Sequence, residues 1–173
     1  ELLAHFLCLR RMRDRARKEK AAKLSASRSL IPALLQSLPF TLTAAQEKAF
    51  AEVSKDLASN VPMLRLLQGD VGSGKTMVAI LAALQTVENA FQVAIMAPTE
   101  ILAEQHFLNF MAMLEGSNIE VCFLSGKIKG NKRAETLALI ASGQAGIIIG
   151  THALFQDEVV FSQLGLLVID EQH

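Results

Sequence analysis

The sequence contains no tryptophan, no tyrosine and only two cysteines among its 173 residues. Nine phenylalanines are therefore the only large aromatic side chains that could stack on nucleic-acid bases. Cys8 and Cys122 lie far apart and form no Cys-x-x-Cys motif, which argues against a zinc site or a disulfide framework. The longest apolar run, residues 77–84, is much shorter than the roughly 18 residues that a membrane helix needs. Because no signal-peptide pattern is present either, we expect a cytoplasmic protein with no membrane contact.

Positive charge is concentrated at the start of the chain. The first 23 residues carry eight Lys or Arg against three acids, a balance of +5 that the rest of the chain cancels. Apolar residues recur there at spacings of three and four, so we predict one amphipathic helix over residues 2 to about 23. Its basic face can be a solvated surface or can contact DNA, and both interpretations stay open.

We predict two parts: a basic lead-in helix with a Ser- and Pro-containing linker over residues 1–39, and an α/β domain over residues 40–173. In the second part, short apolar runs typical of buried strands alternate with helical patterns. The predicted strands are residues 63–67, 92–97, 119–124, 146–149 and 166–169, and the predicted helices begin at Thr43 (ending at 57 or 59) and near 74–87, 100–114 and 131–142. Strands that are apolar throughout predict a parallel sheet covered by helices on both faces, and ligands bind such sheets at the carboxyl ends of the strands.

One segment has the pattern of a phosphate-binding loop. A strand-like run precedes it, a helix-forming run follows it, and it satisfies Gly-x-x-x-x-Gly-Lys-Thr. Glycines let the backbone wrap around phosphates, and N–H groups at the start of the helix supply positive potential. Lys75 can reach the β- and γ-phosphates of ATP, and the Thr76 hydroxyl can hold Mg²⁺. The predicted nucleotide-binding residues are Gly69, Asp70, Val71, Gly72, Ser73, Gly74, Lys75 and Thr76.

A pair of acidic residues follows the last predicted strand. Asp170 lies where a carboxylate at a strand end can bind Mg²⁺, and Glu171 lies where it can orient or deprotonate the attacking water. Two acids after a strand are by themselves also typical of an ordinary turn. Because a phosphate-binding loop precedes them in the same chain, we predict that Asp170 and Glu171 are catalytic together with Lys75.

Four segments together resemble superfamily 2 helicases of the DExH type, which have a RecA-like fold. They are GDVGSGKT at 69–76, APTEILAEQH at 97–106, GTHAL at 150–154 and DEQH at 170–173. The set is most similar to the RecG family of bacterial branch-migration helicases, and the similarity covers essentially the whole chain. The related transcription-repair coupling factors share the layout but more often have Asp-Glu-Glu-His in the last segment, so Gln172 favours the RecG family.

The resemblance implies roles for further residues. Gln46 matches a glutamine that contacts adenine, although Thr43-x-x-Gln46 is also a helix capping box, and both readings stay open. His173 matches a residue that relays the nucleotide state to other segments, and we count it with the catalytic set. His106 and His152 are interpreted as structural or surface histidines. The residues at positions that contact DNA in this family are Thr99, Gly126 and Thr151, and threonine is also a preferred helix cap.

The resemblance also implies partners. Motors of this family bind ATP and Mg²⁺ between two RecA-like lobes, act on branched DNA, and take from the second lobe the arginines that stabilise the transferring phosphoryl group. We therefore interpret the chain as the first lobe with its lead-in segment, an interior piece without the second lobe and without an N-terminal DNA-binding region. By itself such a piece is expected to hydrolyse ATP at close to the background rate.

Three other functions fit parts of the pattern. They are a transcription-repair coupling translocase, a P-loop kinase of small molecules, and a non-enzymatic basic module that binds DNA or a partner. A kinase would be expected to have an Arg-rich lid late in the chain, but residues 134–173 contain no Lys or Arg.

Replacing Arg13, Arg17 and Lys20 by Ala should reduce the salt dependence of DNA binding if the lead-in segment contacts DNA. With ~3–4 phosphates neutralised, the logarithm of the affinity should fall with the logarithm of the salt concentration at a slope of about −3. The triple variant should flatten this slope in fluorescence-anisotropy titrations of a random-sequence duplex. An unchanged slope and affinity would instead mean that the segment is a solvated helix or packs against parts outside this chain.

Overall fold

The computed structural model describes residues 19–70 and 72–170, which form five helices, four strands and one 3-10 turn. The helices are α1 (Leu30–Ser37), α2 (Ala44–Leu57), α3 (Lys75–Glu88), α4 (Glu100–Met113) and α5 (Gly130–Ser142), the strands are β1 (Gln92–Met96), β2 (Glu120–Leu124), β3 (Ala145–Gly150) and β4 (Leu164–Ile169), and the 3-10 turn is His152–Phe155. From α3 onward, the predicted elements are confirmed. Among the described residues, no helix combines the length and the hydrophobicity needed to cross a lipid bilayer.

The four strands form one parallel sheet in the order β2-β3-β1-β4. Residues 93–96 of β1 pair with residues 147–150 of β3 on one side and with residues 166–169 of β4 on the other. Each pair is parallel, so the chain must cross back between strands. α4 makes the crossing from β1 to β2 and α5 the crossing from β2 to β3, whereas the segment with the 3-10 turn connects β3 to β4. The prediction of a parallel α/β sheet is therefore confirmed.

Alternate side chains of the strands enter two separate hydrophobic cores. Ile147 and Ile149 of β3 belong to the core that contains residues of α3 and α4, whereas Ile148 belongs to the core beneath α5 and the 3-10 turn. All three isoleucines are fully buried. This alternation follows from the two-residue period of a strand, and it confirms that helices cover both faces of the sheet.

The prediction of a strand over residues 63–67 is wrong. This segment has no ladder partner among the described residues, and it is not part of the sheet. Leu64 and Leu66 are 62% and 70% exposed, while Met63 and Leu67 pack against the core. A composition typical of strands indicates that the side chains fit a pleated surface. A strand also needs a neighbouring backbone with which to form hydrogen bonds.

The basic helix predicted over residues 2 to about 23 lies mostly outside the described residues, and its last part, residues 19–23, is not helical. The backbone N–H of Ala21 donates to the carbonyl of Asn60 at 3.0 Å, and the N–H of Leu24 donates to the carbonyl of Leu57 at 2.9 Å. These bonds attach the segment to the end of α2. They take the place of the i to i−4 bonds that a helix would need, which explains the difference from the prediction.

The carboxylate of Glu88, at the end of α3, holds the start of α1. It accepts hydrogen bonds from the hydroxyls of Ser27 and Ser29 and from the backbone N–H groups of Arg28, Ser29 and Leu30. The N-cap residue Ser29 forms no side-chain cap, and Ser27 Oγ accepts only from the N–H of Ile31 at 3.0 Å, so this distant carboxylate supplies the rest of the cap. Burial alone would raise the pKa of Glu88, but the hydrogen bonds outweigh it and lower the pKa from 4.5 to about 2.

Further contacts join the lead-in segment to the rest of the chain. The side chain of Asn89 accepts from the N–H of Ser25 at 3.0 Å and donates to its carbonyl at 2.8 Å. Leu24, Ile31 and Leu34 are buried in the same core as α3. A domain boundary near residue 40 stays a prediction, but residues 24–34 share the hydrophobic core of the sheet.

Replacing Glu88 by Gln should lower the free energy of unfolding by about 1.5–3 kcal/mol at pH 7, the range for hydrogen bonds to a charged group. The pKa of this carboxyl is about 2 in the folded chain, against an ordinary value of 4.5. Its contribution to the free energy of unfolding is therefore fully present above pH 4.5 and is lost as the pH falls toward 2. Urea denaturation at pH 7 and pH 3 should therefore show a smaller difference between the two proteins at pH 3. Glu135→Gln, at an exposed position of α5, is the matched control, and an equal effect of both changes would contradict the prediction.

Candidate nucleotide and DNA site

The carboxyl ends of the four strands bring several predicted site residues to one edge of the sheet. Gly126 follows β2, Thr151 follows β3, Thr99 follows β1 and Asp170 follows β4, which is also their order across the sheet. The ladder continues into these segments, since the N–H of Asp170 donates to the carbonyl of Met96 at 2.9 Å. The loops predicted to contact DNA and the predicted metal ligand are therefore neighbours, although they are far apart along the chain.

The predicted phosphate-binding loop forms a tight turn that opens α3. Gly72 and Gly74 have φ values of +81° and +77°, in the left-handed region that favours glycine. The Nζ of Lys75 donates to the carbonyl oxygen of Gly69 at 2.6 Å and to that of Asp70 at 3.0 Å. The lysine side chain thus curls back over the loop and holds its ammonium group among backbone carbonyls.

α3 begins without the features that start two other helices. Thr43 caps α2 and Thr99 caps α4, and both helices carry a glutamate in the first turn. α3 has Gly74 at its N-cap, no side-chain cap and no acidic residue in its first turn, which contains Lys75 instead. Free N–H groups at the positive end of the helix dipole attract anions, so this helix start fits a nucleotide phosphate.

Gln46 links the start of α2 to the phosphate-binding loop. Its N–H donates to Thr43 Oγ1 at 3.2 Å, and its Oε1 accepts from the N–H of Thr43 at 2.9 Å, so the capping box is present. Its Nε2 donates to the carbonyl oxygens of Ser73 and Gly74, at 3.4 Å each. A Cβ on Gly74 would lie only 2.0 Å from this nitrogen, which shows how closely the two segments approach. Contact of Gln46 with adenine stays a prediction.

His106 contacts Asp170, and sequence reasoning did not find this contact. Nε2 of His106, on α4, lies 2.6 Å from Oδ2 of Asp170, and the two side chains are 15% and 33% exposed. The interpretation of His106 as a structural or surface residue was therefore incomplete. The residues are 64 positions apart, so no spacing rule connects them. The one available signal was that both stand in segments of the helicase resemblance.

An ion pair connects two of the loops that are predicted to contact DNA. The ammonium group of Lys127, in the loop after β2, pairs with the carboxylate of Glu100 in the first turn of α4. Their hydrogen bond raises the pKa of Lys127 and lowers that of Glu100. Both groups therefore stay charged at neutral pH.

Arg133 on α5 forms hydrogen bonds with two separate loops. Its guanidinium donates to the carbonyl oxygens of Ser125 and Ile128, at 3.2 and 3.4 Å, in the loop that contains Gly126. It also donates to the side chains of Gln156 and Glu158, in the loop after the 3-10 turn. A planar group with five donors can satisfy several acceptors at once, so this arginine sets the spacing of the two loops.

The remaining predicted residues are placed as follows. Val71, Glu171, Gln172 and His173 lie outside the described residues, so their roles stay predictions. Thr76 is partly buried in the first turn of α3, and His152 is exposed at the start of the 3-10 turn. Cys122 is buried in β2, and this burial raises the pKa of its thiol to about 11. That thiol is therefore protonated and unreactive at neutral pH.

Residues 43–173 match the family model of DEAD/DEAH box helicases. With the parallel sheet and the phosphate-binding loop described above, this match shows that the chain belongs to the DEAD/DEAH box helicase family. The similarity to RecG is confirmed as well. The chain is 52% identical over all 173 residues to the ATP-dependent DNA helicase RecG of Escherichia coli K12 and, likewise at 52%, to that of Pasteurella multocida. It spans about a quarter of the length of these relatives, 25% in each case.

Two solved structures share the fold. A structure of RecG bound to a three-way DNA junction superposes with a TM-score of 0.89 at 43% identity, covering 94% of this chain and 22% of that one. The UvsW helicase from bacteriophage T4 superposes with a TM-score of 0.59 at 21% identity, covering 88% of this chain and 52% of that one. The first similarity extends to sequence, whereas the second concerns the fold alone.

Replacing Arg133 by Ala should loosen the loops at residues 125–128 and 156–158 while leaving the sheet intact. The substitution removes several hydrogen bonds to a charged group. Because each is worth about 1.5 kcal/mol or more, amide hydrogen exchange in both loops should accelerate at least about tenfold. Exchange measured by mass spectrometry checks this, with the neighbouring Lys132→Ala, at an exposed position, as the control. Equal exchange rates in both variants would refute the role assigned to Arg133.

Proposed function

We propose that this chain is the ATP-binding motor lobe of an ATP-dependent DNA helicase that remodels branched DNA, such as forks and junctions, in recombination and repair. The observation that carries the proposal is the uncapped start of α3, where Lys75 and free backbone N–H groups offer an anion site in a member of this helicase family. The names of the RecG relatives and the RecG complex with a three-way DNA junction support the choice of reaction and of DNA.

The same comparison supports the partners and the location that we propose. Because the chain spans about a quarter of its RecG relatives, we propose a second motor lobe and an N-terminal DNA-binding region as its partners. We place the protein in the bacterial cytoplasm, where it reaches DNA.

Lys75 and the glycines of the loop would hold the phosphates of ATP. The ammonium group of Lys75 donates to two neutral carbonyl oxygens in this structure. Phosphate oxygens are charged acceptors and form stronger hydrogen bonds, so the lysine would exchange these carbonyls for the β- and γ-phosphates. The positive φ values of Gly72 and Gly74 would let the backbone N–H groups of the loop turn toward these phosphates.

Thr76 and Asp170 would hold Mg²⁺, because hydroxyl and carboxylate oxygens are the ligands that this cation prefers. When bound, the cation would neutralise negative charge on the phosphates. Glu171 would orient or deprotonate the attacking water, and His173 would relay the nucleotide state to the second lobe. The adenine would contact Gln46, whose amide already reaches the phosphate-binding loop.

DNA would contact the same edge of the sheet. Thr99, Gly126 and Thr151 offer hydroxyl and backbone N–H groups, which suit phosphodiester contacts that carry no sequence information. The Thr99 hydroxyl accepts a hydrogen bond from the N–H of Leu102 at 3.3 Å, and its own proton remains available to a phosphate. A strand of DNA along these loops would lie beside Asp170, next to the nucleotide site.

Replacing Lys75 by Ala should weaken binding of a fluorescent ADP analogue by at least about tenfold, because a charged donor to the phosphates is lost. Thr76→Ala should mainly reduce the gain in affinity that Mg²⁺ produces. Fluorescence titrations with Mg²⁺ and with EDTA measure both effects, and Lys55→Ala, at an exposed position of α2, is the matched control. No binding by the wild-type chain at millimolar ligand, or unchanged binding by Lys75→Ala, would contradict the assignment of residues 69–76 as a nucleotide-binding loop.

A further inference from the structure

We propose that His106 is a positioning residue for the metal site: its imidazole fixes the carboxylate of Asp170 so that one oxygen stays directed toward Mg²⁺. The inference rests on the proposed function, since it assumes that Asp170 is a ligand of this cation. It adds a residue outside the phosphate-binding loop and outside the acidic segment. That residue belongs instead to the helix that begins at a predicted DNA contact.

The helix that carries His106 is fixed by packing that does not involve Asp170. Ala103 and Phe110, three residues before it and four residues after it on α4, are 0% and 1% exposed. Residues at this spacing share one face of a helix, so His106 lies on the face that packs against the sheet. The adjacent Phe107 packs against Phe123 of β2, with ring centroids 5.6 Å apart. The imidazole therefore approaches the carboxylate from a fixed helix.

Asp170 is fixed at its backbone and at one of its two side-chain oxygens. Its N–H continues the ladder to the carbonyl of Met96, and its Oδ2 contacts His106 Nε2 at 2.6 Å. In the described part of the chain, Oδ1 forms no hydrogen bond, and a third of the side chain is exposed. One hydrogen bond to a carboxylate sets the rotation of the group, which leaves Oδ1 as the oxygen available to a cation.

His106 contacts the carboxylate of Asp170 through one ring nitrogen only. A carboxylate that binds a cation is ionised and only accepts hydrogen bonds, so Nε2 would be the donor in the metal-bound site. His106 Nδ1 is buried and has no hydrogen-bond partner among the described residues. The contact with Asp170 is therefore the one polar contact of this ring among the described residues.

Groups that hold a metal-binding side chain in place affect metal affinity strongly, and their loss typically costs ~10–100-fold. A histidine that only joined α4 to β4 would act differently. Its loss would disturb the fold and lower nucleotide affinity to the same extent with and without Mg²⁺. The two roles are therefore separated by the ratio of the two affinities.

The test uses two substitutions at one position. His106→Gln places an amide N–H near the position of Nε2, whereas His106→Leu fills similar space without a donor. Gln105→Leu makes a matched polar-to-apolar change at the exposed neighbouring position. For each protein, the affinity for a fluorescent ADP analogue is measured in Mg²⁺ and in EDTA, and thermal unfolding verifies that it is folded.

We expect His106→Leu to lose about ten- to hundredfold of the gain in affinity that Mg²⁺ produces, while its affinity in EDTA stays at the wild-type level. His106→Gln should restore most of this gain, and Gln105→Leu should leave it unchanged. In nitrogen-15 spectra of the histidine rings, the Nε2–H resonance of His106 should shift in Asp170→Asn.

A Mg²⁺ effect in His106→Leu equal to that of the wild type would overturn this inference and leave the proposed function standing. So would a parallel loss of affinity in Mg²⁺ and in EDTA, or a ring resonance that Asp170→Asn does not move. Absence of nucleotide binding by the wild-type chain would overturn the proposed function and this inference together, which distinguishes the two failures.

Discussion

Parallel pairing of the four strands is the constraint on which the candidate site depends. Parallel strands end at the same edge, so the segments after β1, β2, β3 and β4 meet there however far apart they lie in sequence. The register is fixed by burial, because residues 147–149 of β3 alternate between two hydrophobic cores. A slip by one residue would exchange the two cores, and it would also move Thr151 relative to Thr99.

The parts that were predictable from sequence are those with a local cause. The turn at Gly72 and Gly74 requires positive φ values, which glycine adopts at little cost, and the helix after it follows from composition. The prediction of a strand over residues 63–67 was wrong because a strand needs a neighbouring strand to pair with, and the local sequence does not encode that neighbour. The prediction that the lead-in helix continues to about residue 23 was wrong for a similar reason. The backbone N–H groups of Ala21 and Leu24 form hydrogen bonds with the backbone at the end of α2.

Side-chain contacts across the site were the least predictable. Sequence presented the capping box and the adenine contact as alternatives for Gln46, yet its amide closes the box and also reaches the phosphate-binding loop. His106 gave no periodic or spacing signal of its contact with Asp170, because that contact arises only when α4 packs on the sheet. In both cases one side chain joins two segments that sequence reasoning treats separately.

The anchoring of α3 at both ends has a mechanical consequence. At 1.5 Å per residue, its 14 residues span about 21 Å, from Lys75 in the phosphate-binding loop to Glu88, which holds the lead-in segment. Residues 77–78 and 80–86 are buried, so the helix has little room to bend. If the phosphate-binding loop moved, a rigid α3 would carry that movement along its length to residues 25–30, which the side chains of Glu88 and Asn89 hold.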